Sequence, residues 1–208
     1  MIPLALLTWL SPAFPVGAFA YSGGLEAAVS RGVVTDADEL ADWLDASLHG
    51  SAVRSDAIAL ALAARGRDEG LDELVVALAG SPTRERELRG LGAALSEAAL
   101  PWRDDRMPLA ETYPVALGQL CRMQGIAGDM AASAFALAAV TNAVQAAQRL
   151  LAIGQRDGVR IVAALHPAIE RLGGEAARAT TDDLFTATPI ADLCALAHPT
   201  VEPRLFRS

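Results

Sequence analysis

Apolar residues recur along this chain at three- and four-residue intervals, the period of helices that bury one face. After Thr35, Leu40, Trp43, Leu44 and Leu48 share such a face. Thr35 caps this predicted helix, and Asp36, Asp38 and Glu39 fall in its first turn, where the helix dipole favours carboxylates. A second helical pattern runs over 55–65 and a short one over 71–79, stopped by Gly80. Ser81-Pro82 reads as the cap and first position of a helix with Leu88, Leu91 and Leu95 on one side, ended by Pro101.

Residues 102–108, WRDDRMP, read as a polar loop. The helical pattern resumes over 108–123, with Pro114 one turn in or at a restart, and Gly125 and Gly128 break the pattern after it. A long apolar helix is predicted over 131–153 and placed at the centre of the fold. Another, over 154–172, is weakened by Gly158 and Pro167. The remaining tail shows only short helical patches. Alternating strands and fixed-period repeats are missing from the pattern. The prediction is an all-α, single-domain bundle over 1–208 with about eight to ten helices, and with 199–208 as a flexible tail.

Composition narrows the function. The chain has 208 residues, 52% of them hydrophobic and 20% charged, which suits one globular domain. The net charge is −8 and all 17 basic residues are arginine. An acidic surface is a poor partner for nucleic acid. The lack of lysine excludes a Walker A loop, whose lysine holds the phosphates. Two cysteines, Cys121 and Cys194, do not make a disulfide framework and read as cytosolic thiols. The apolar start lacks an early basic residue and is broken by Pro3, Pro12 and Pro15, which argues against a secretory leader. Asn142, Gln145, Gln148 and Arg149 interrupt the longest apolar run and argue against a membrane span.

Four features stand out as candidate chemistry. Ala20-Tyr21-Ser22-Gly23-Gly24 falls one glycine short of a nucleophile elbow and lacks the strand that would feed one, so Ser22 reads as a helix cap. Cys194 and His198, four residues apart, are half a metal site; His49 and His166 stand alone and read as structural, so neither a metal site nor a cofactor is expected. The chain ends Pro203-Arg204-Leu205-Phe206-Arg207-Ser208, an apolar pair between arginines of the kind used at binding hot spots. Finally, Gly154, Gln155, Gly158 and Arg160 interrupt an apolar stretch and read as a helix–helix turn.

The stretch 11–26, SPAFPVGAFAYSGGLE, gathers Pro15, Gly17, Tyr21, Ser22, Gly24, Leu25 and Glu26. It resembles the N-terminal signature of the urease accessory protein F family. The resemblance continues through Glu85-Arg86-Glu87-Leu88-Arg89, Tyr113-Pro114-Val115-Ala116 with Gly125-Ile126, Asn142 to Leu150, Gly154-Gln155-x-x-Gly158-x-Arg160 and the closing RLFRS. Departures are Ala152-Ile153 before Gly-Gln, Val159 before Arg160, and Pro199 after His198. The resemblance implies an all-α cytoplasmic homodimer without chemistry of its own. It implies a chaperone or scaffold required for nickel insertion into apo-urease, bridging accessory protein H (also called D) and the nickel-carrying accessory GTPase G. Two other roles are compatible with the sequence: an activator of that GTPase, and a nickel-binding carrier. On this reading Pro12 and Pro15 stiffen the signature, while Phe14, Phe19 and Tyr21 anchor it. Glu26 bonds backbone groups or faces a partner's arginine, and Arg204, Leu205, Phe206 and Arg207 contact accessory protein H.

Overall fold

A computed structural model describes residues 3–104 and 107–207. Part of the expected 102–108 loop and Ser208, the last residue of the tail, lie outside the described residues. The described chain is helical, without strands, and its α-helices run in the order α1 (Leu4–Trp9), α2 (Leu25–Ser30), α3 (Ala37–Gly50), α4 (Ala52–Ala64), α5 (Leu71–Ala77), α6 (Pro82–Ala98), α7 (Tyr113–Met123), α8 (Gly128–Leu150), α9 (Gln155–Ala176) and α10 (Pro189–Ala197).

The centre of the fold differs from expectation. Helix α4, not the long α8, is the one buried on all sides: every residue from Ser55 to Ala63 is enclosed. Its alanines alternate with Ile58, Leu60 and Leu62, so it has no polar face to give to water. It packs against α3, α7, α8 and α9. Helix α8 keeps one side open, which its sequence announces with Thr141 and Gln145 among the alanines.

Local chemistry sets the boundaries. Asp36, rather than Thr35, caps α3, accepting from the amides of Asp38 and Glu39 at 2.9 Å each. Thr35 has the reciprocal part, giving its amide and hydroxyl to the Glu39 carboxylate. Ser51 caps α4 through the Val53 amide, starting that helix earlier than expected. Ser81 caps α6, accepting from the Arg84 amide as Ser-Pro predicts. Helix α7 begins only at Tyr113, with Pro114 in its first turn. The segment before it is pinned by Asp72, whose carboxylate accepts from the amides of Glu111 and Thr112.

Trp102 corrects the reading of 102–108 as a polar loop. It sits in a 3-10 turn and meets Trp9 and Phe14 edge-on at 6.1 Å each. That cluster ties the first helix and the start of the signature to the end of α6.

Glycines allow the tightest crossings. A Cβ on Gly118 of α7 would run into the Leu60 carbonyl of α4, whereas one on Gly174 of α9 would meet only the end of Arg178, at 3.9 Å. Gly118→Ala is therefore expected to destabilise by about 1–3 kcal/mol through overpacking. Gly174→Ala should be neutral or stabilise by up to about 1 kcal/mol through reduced chain entropy. Urea unfolding midpoints of the two variants check the contrast.

Candidate functional site

The signature is a stiff loop between α1 and α2. Phe14 is buried and its amide closes a turn on the Ser11 carbonyl at 2.9 Å. Pro15 is exposed beside it. Gly17 (φ +78°) then enters a 3-10 turn over Ala18–Ala20, and Gly24 (φ +84°) opens α2. Such φ values favour glycine. Gly24 has a second reason: a Cβ there would lie 3.0 Å from the Ala195 amide, so its absence lets α10 close on the signature. Leu25 is fully buried, Tyr21 is half-buried, and Phe19 projects with 63% exposure. Ser22 is buried and its Oγ accepts from the Glu26 amide at 3.3 Å. Ser22 was expected to cap this helix; the capping position falls on Gly24 instead, and Ser22 bonds a first-turn amide from two residues before it.

Glu26 is the hub. Its side chain is only 4% exposed. Oε1 accepts from the Leu205 amide at 2.6 Å, and Oε2 accepts from the Phe206 amide at 3.2 Å and from His198 Nε2 at 2.8 Å. A buried carboxylate is tolerable only when donors surround it, and here the chain's own end supplies two of them. With Nε2 as the donor, both carboxylate oxygens act as acceptors. The tail therefore folds back onto the signature. Val201 and Phe206 are buried, and the Arg207 amide reaches the Ala20 carbonyl at 2.8 Å. Arg31 adds a bond to the Thr200 hydroxyl at 3.3 Å. Where a flexible tail was expected, the structure thus anchors residues 201–207 on their own domain. The side chains of Arg204, Leu205 and Arg207 point outward, with Leu205 55% exposed.

Helix α8 holds both parts from beneath. Asn142 donates to the carbonyls of Ala18 and Tyr21 at 3.2 and 3.4 Å. Seven residues on, the Arg149 guanidinium lies 4.7 Å from the Phe206 ring centroid. Residues seven apart share a helix face. Two of the polar residues that interrupt the apolar run, Asn142 and Arg149, thus serve the site. Both are visible in the sequence, where they speak against a membrane span and fall in the stretch that resembles the family, but nothing there shows what they touch.

Gln155, Gly158 and Arg160 are not part of this cluster. Gln155 donates to Gln148 on α8 at 3.4 Å, Gly158 is buried against α8, and Arg160 pairs with Asp38 at 3.2 Å and Asp157 at 3.7 Å.

Beside the signature opens a groove of about 700 Å³. Its walls include Leu7, Phe19, Leu137 and Leu196, which are 52%, 63%, 37% and 53% exposed. Arg84 lies in its floor, paired with Asp56 and with Glu87, the latter at 2.8 Å. Burial pushes the Asp56 carboxyl above its usual range despite Arg84, while the two acids hold the guanidinium firmly charged. Sequence reasoning missed Asp56 and Arg84, because pairing across helices leaves no spacing to read.

Cys194 is buried one turn before His198, and His198 Nε2 is occupied by Glu26. Among the described residues, no three His, Cys, Asp or Glu side chains stand together as a metal-binding group. Cys121 is fully enclosed, and burial pushes its thiol up to about 12, leaving it protonated and inert at neutral pH.

Docking of the tail has a measurable consequence. Removing residues 204–208 discards the burial of Phe206, worth about 1.5–3 kcal/mol, and strips Glu26 of two amide donors. For a chain of this size about 2–4 °C of melting temperature is expected to go with each kcal/mol. Glu26→Gln keeps the shape but opposes an amide to donors, and should speed tryptic cleavage after the exposed Arg204. A melting temperature unchanged by the deletion, with cleavage already fast in the unaltered chain, would show an undocked tail.

The chain as a whole has known relatives. The model of the UreF family matches residues 34–166. The urease accessory protein UreF of Rhizobium johnstonii is 45% identical over 213 residues, covering 99% of this chain and 96% of that protein. Its namesakes from Agrobacterium fabrum and Cereibacter sphaeroides are each 44% identical, covering 99% of this chain and 96% and 98% of their own lengths. With the helical fold in place, and with matches of this extent, the chain belongs to the UreF family of urease accessory proteins.

Proposed function

We propose that this chain serves urease maturation as a cytoplasmic scaffold, bridging accessory protein H (D) and the accessory GTPase G so that nickel reaches apo-urease. Membership of the family supports the accessory role. The observation that carries the scaffold reading is the exposed apolar rim around a rigid signature: Leu7, Phe19, Leu137, Leu196 and Leu205 are open to water around a loop whose backbone is held on both sides. Apolar surface of this kind, rimmed by polar groups, marks a protein-binding face. Ser22, the nucleophile candidate weighed in the signature, is buried with its oxygen accepting from the Glu26 amide. We therefore assign the chain no catalysis of its own.

Two faces divide the work. Helix α8 presents Leu137 and Thr141, one helical turn apart, with Ala134 and Ala138 beside them at the same spacing. Small side chains on one face allow close helix packing, which suits a second copy of the chain in a symmetric dimer. The docked tail and signature present Arg204, Leu205, Arg207 and Phe19, a mixture of cation and apolar anchor suited to accessory protein H.

Light scattering is expected to give a dimer mass, and Leu137→Glu a monomer with its thermal stability kept. Leu205→Ala, which alters only an outward side chain, should weaken capture of accessory protein H about tenfold, equivalent to about 1.4 kcal/mol. Unchanged capture in that variant would place the partner elsewhere. Single-turnover GTP hydrolysis by the accessory GTPase distinguishes the other role: acceleration on adding this protein would make it an activator, and an unchanged rate supports the scaffold. Calorimetry with nickel tests the carrier role, and a stoichiometric complex lost in a Cys194→Ala/His198→Ala variant would support it.

A further inference from the structure

The Gly154–Arg160 element lies apart from the signature and the tail, yet it grips the same helix. Gly158 of α9 is buried against α8: a Cβ there would lie 2.6 Å from Gln148 Nε2 and 2.9 Å from Val144 Cγ1. Gln148 in turn donates to the Gly154 carbonyl at 3.3 Å, and Gln155 donates to Gln148 Oε1 at 3.4 Å. Val144 and Gln148 are four residues apart and so share a helix face. Asn142 and Arg149, which hold the signature and the tail, lie on a different face, about 100–160° around the axis from Val144 and Gln148. The last third of α8 is thus clamped between α9 on one side and the signature with its tail on the other.

We propose that Gly154, Gln155 and Gly158 are positioning residues for the signature–tail surface, acting through the seat of α8. The absence of a side chain at Gly158 sets how closely α8 lies on α9. The Gln155–Gln148–Gly154 bonds fix its rotation there. Those two constraints decide where Asn142 meets the carbonyls of Ala18 and Tyr21, and where Arg149 meets Phe206. Gln148 ends in a flexible amide that can swing aside, but Val144 is β-branched and buried, so an added methyl at 158 must move the helix rather than a side chain. Displacement of a helix about its axis shifts both holds on that other face together.

The significance of this coupling rests on the reading of the signature and tail as a partner face, but its test does not, because tail docking is measured in the free, full-length protein. The readout is tryptic cleavage after Arg204 well below the melting temperature, beside the melting temperature itself. Gly158→Ala is expected to raise the cleavage rate about fivefold or more, the low end of coupling between sites. Val144→Ala/Gly158→Ala, which returns the space taken by the new methyl, is expected to restore slow cleavage. Gln155→Ala, on an exposed residue, should speed cleavage with little loss of melting temperature. A Gly158→Ala protein that melts earlier but keeps its tail as protected as before would overturn the proposal. So would a double variant that recovers stability without recovering tail protection. Capture of accessory protein H, measured separately on the unaltered chain, reports on the partner-face reading alone.

Discussion

The arrangement at the functional end of this molecule depends on one buried carboxylate. Glu26 sits in the first turn of α2 with almost no contact with water. An isolated charge in that position would cost far more than a helix contact returns, so the structure must bring donors to it. His198 approaches from the end of α10, and the amides of Leu205 and Phe206 complete the shell, while the Ser22 hydroxyl accepts from the backbone amide of Glu26 itself. Segments separated by about the whole length of the chain are thereby joined at one side chain. The rest of the signature serves that junction: Gly24 gives up its Cβ so that α10 can come near, and the prolines and Phe14 hold the loop that α2 grows from.

Helix α8 turns that local cluster into part of the fold. It is long and apolar enough to cross a membrane by length and composition alone. Its polar residues instead reach the signature, the tail and the start of α9. The α4 core beneath it is a packed block of alanine, leucine and isoleucine on which α3, α7, α8 and α9 all rest. A surface assembled from two chain ends needs such a base, because neither the tail nor the six-residue α2 is long enough to be a stable helix alone.

Much of this is legible in the sequence. Periodicity locates most of the helices, and capping chemistry places the Ser81-Pro82 start correctly. The signature and the closing motif point to the family, which the full-length relatives bear out. Other features are illegible for physical reasons. The longest apolar run points to α8 as the centre, whereas α4 wins by being apolar on every face over a shorter length. Asp36 displaces Thr35 as cap because either residue can serve and only the backbone register decides. A free tail is the natural expectation since chain ends commonly fray; its anchor, Glu26, stands 179 residues before Leu205, beyond any local pattern. Asp56 and Arg84 escape for the same reason, as partners on different helices.

Residues 201–207 dock on the signature, held there by Glu26. Amide hydrogen exchange at Leu205 and Phe206 tests this docking most directly, since both amides are the donors to that carboxylate. A docked segment exchanges only through local opening, so exchange at both amides should be slow and should accelerate in Glu26→Gln. Exchange at the rate of an unstructured chain end, identical in both proteins, would contradict it.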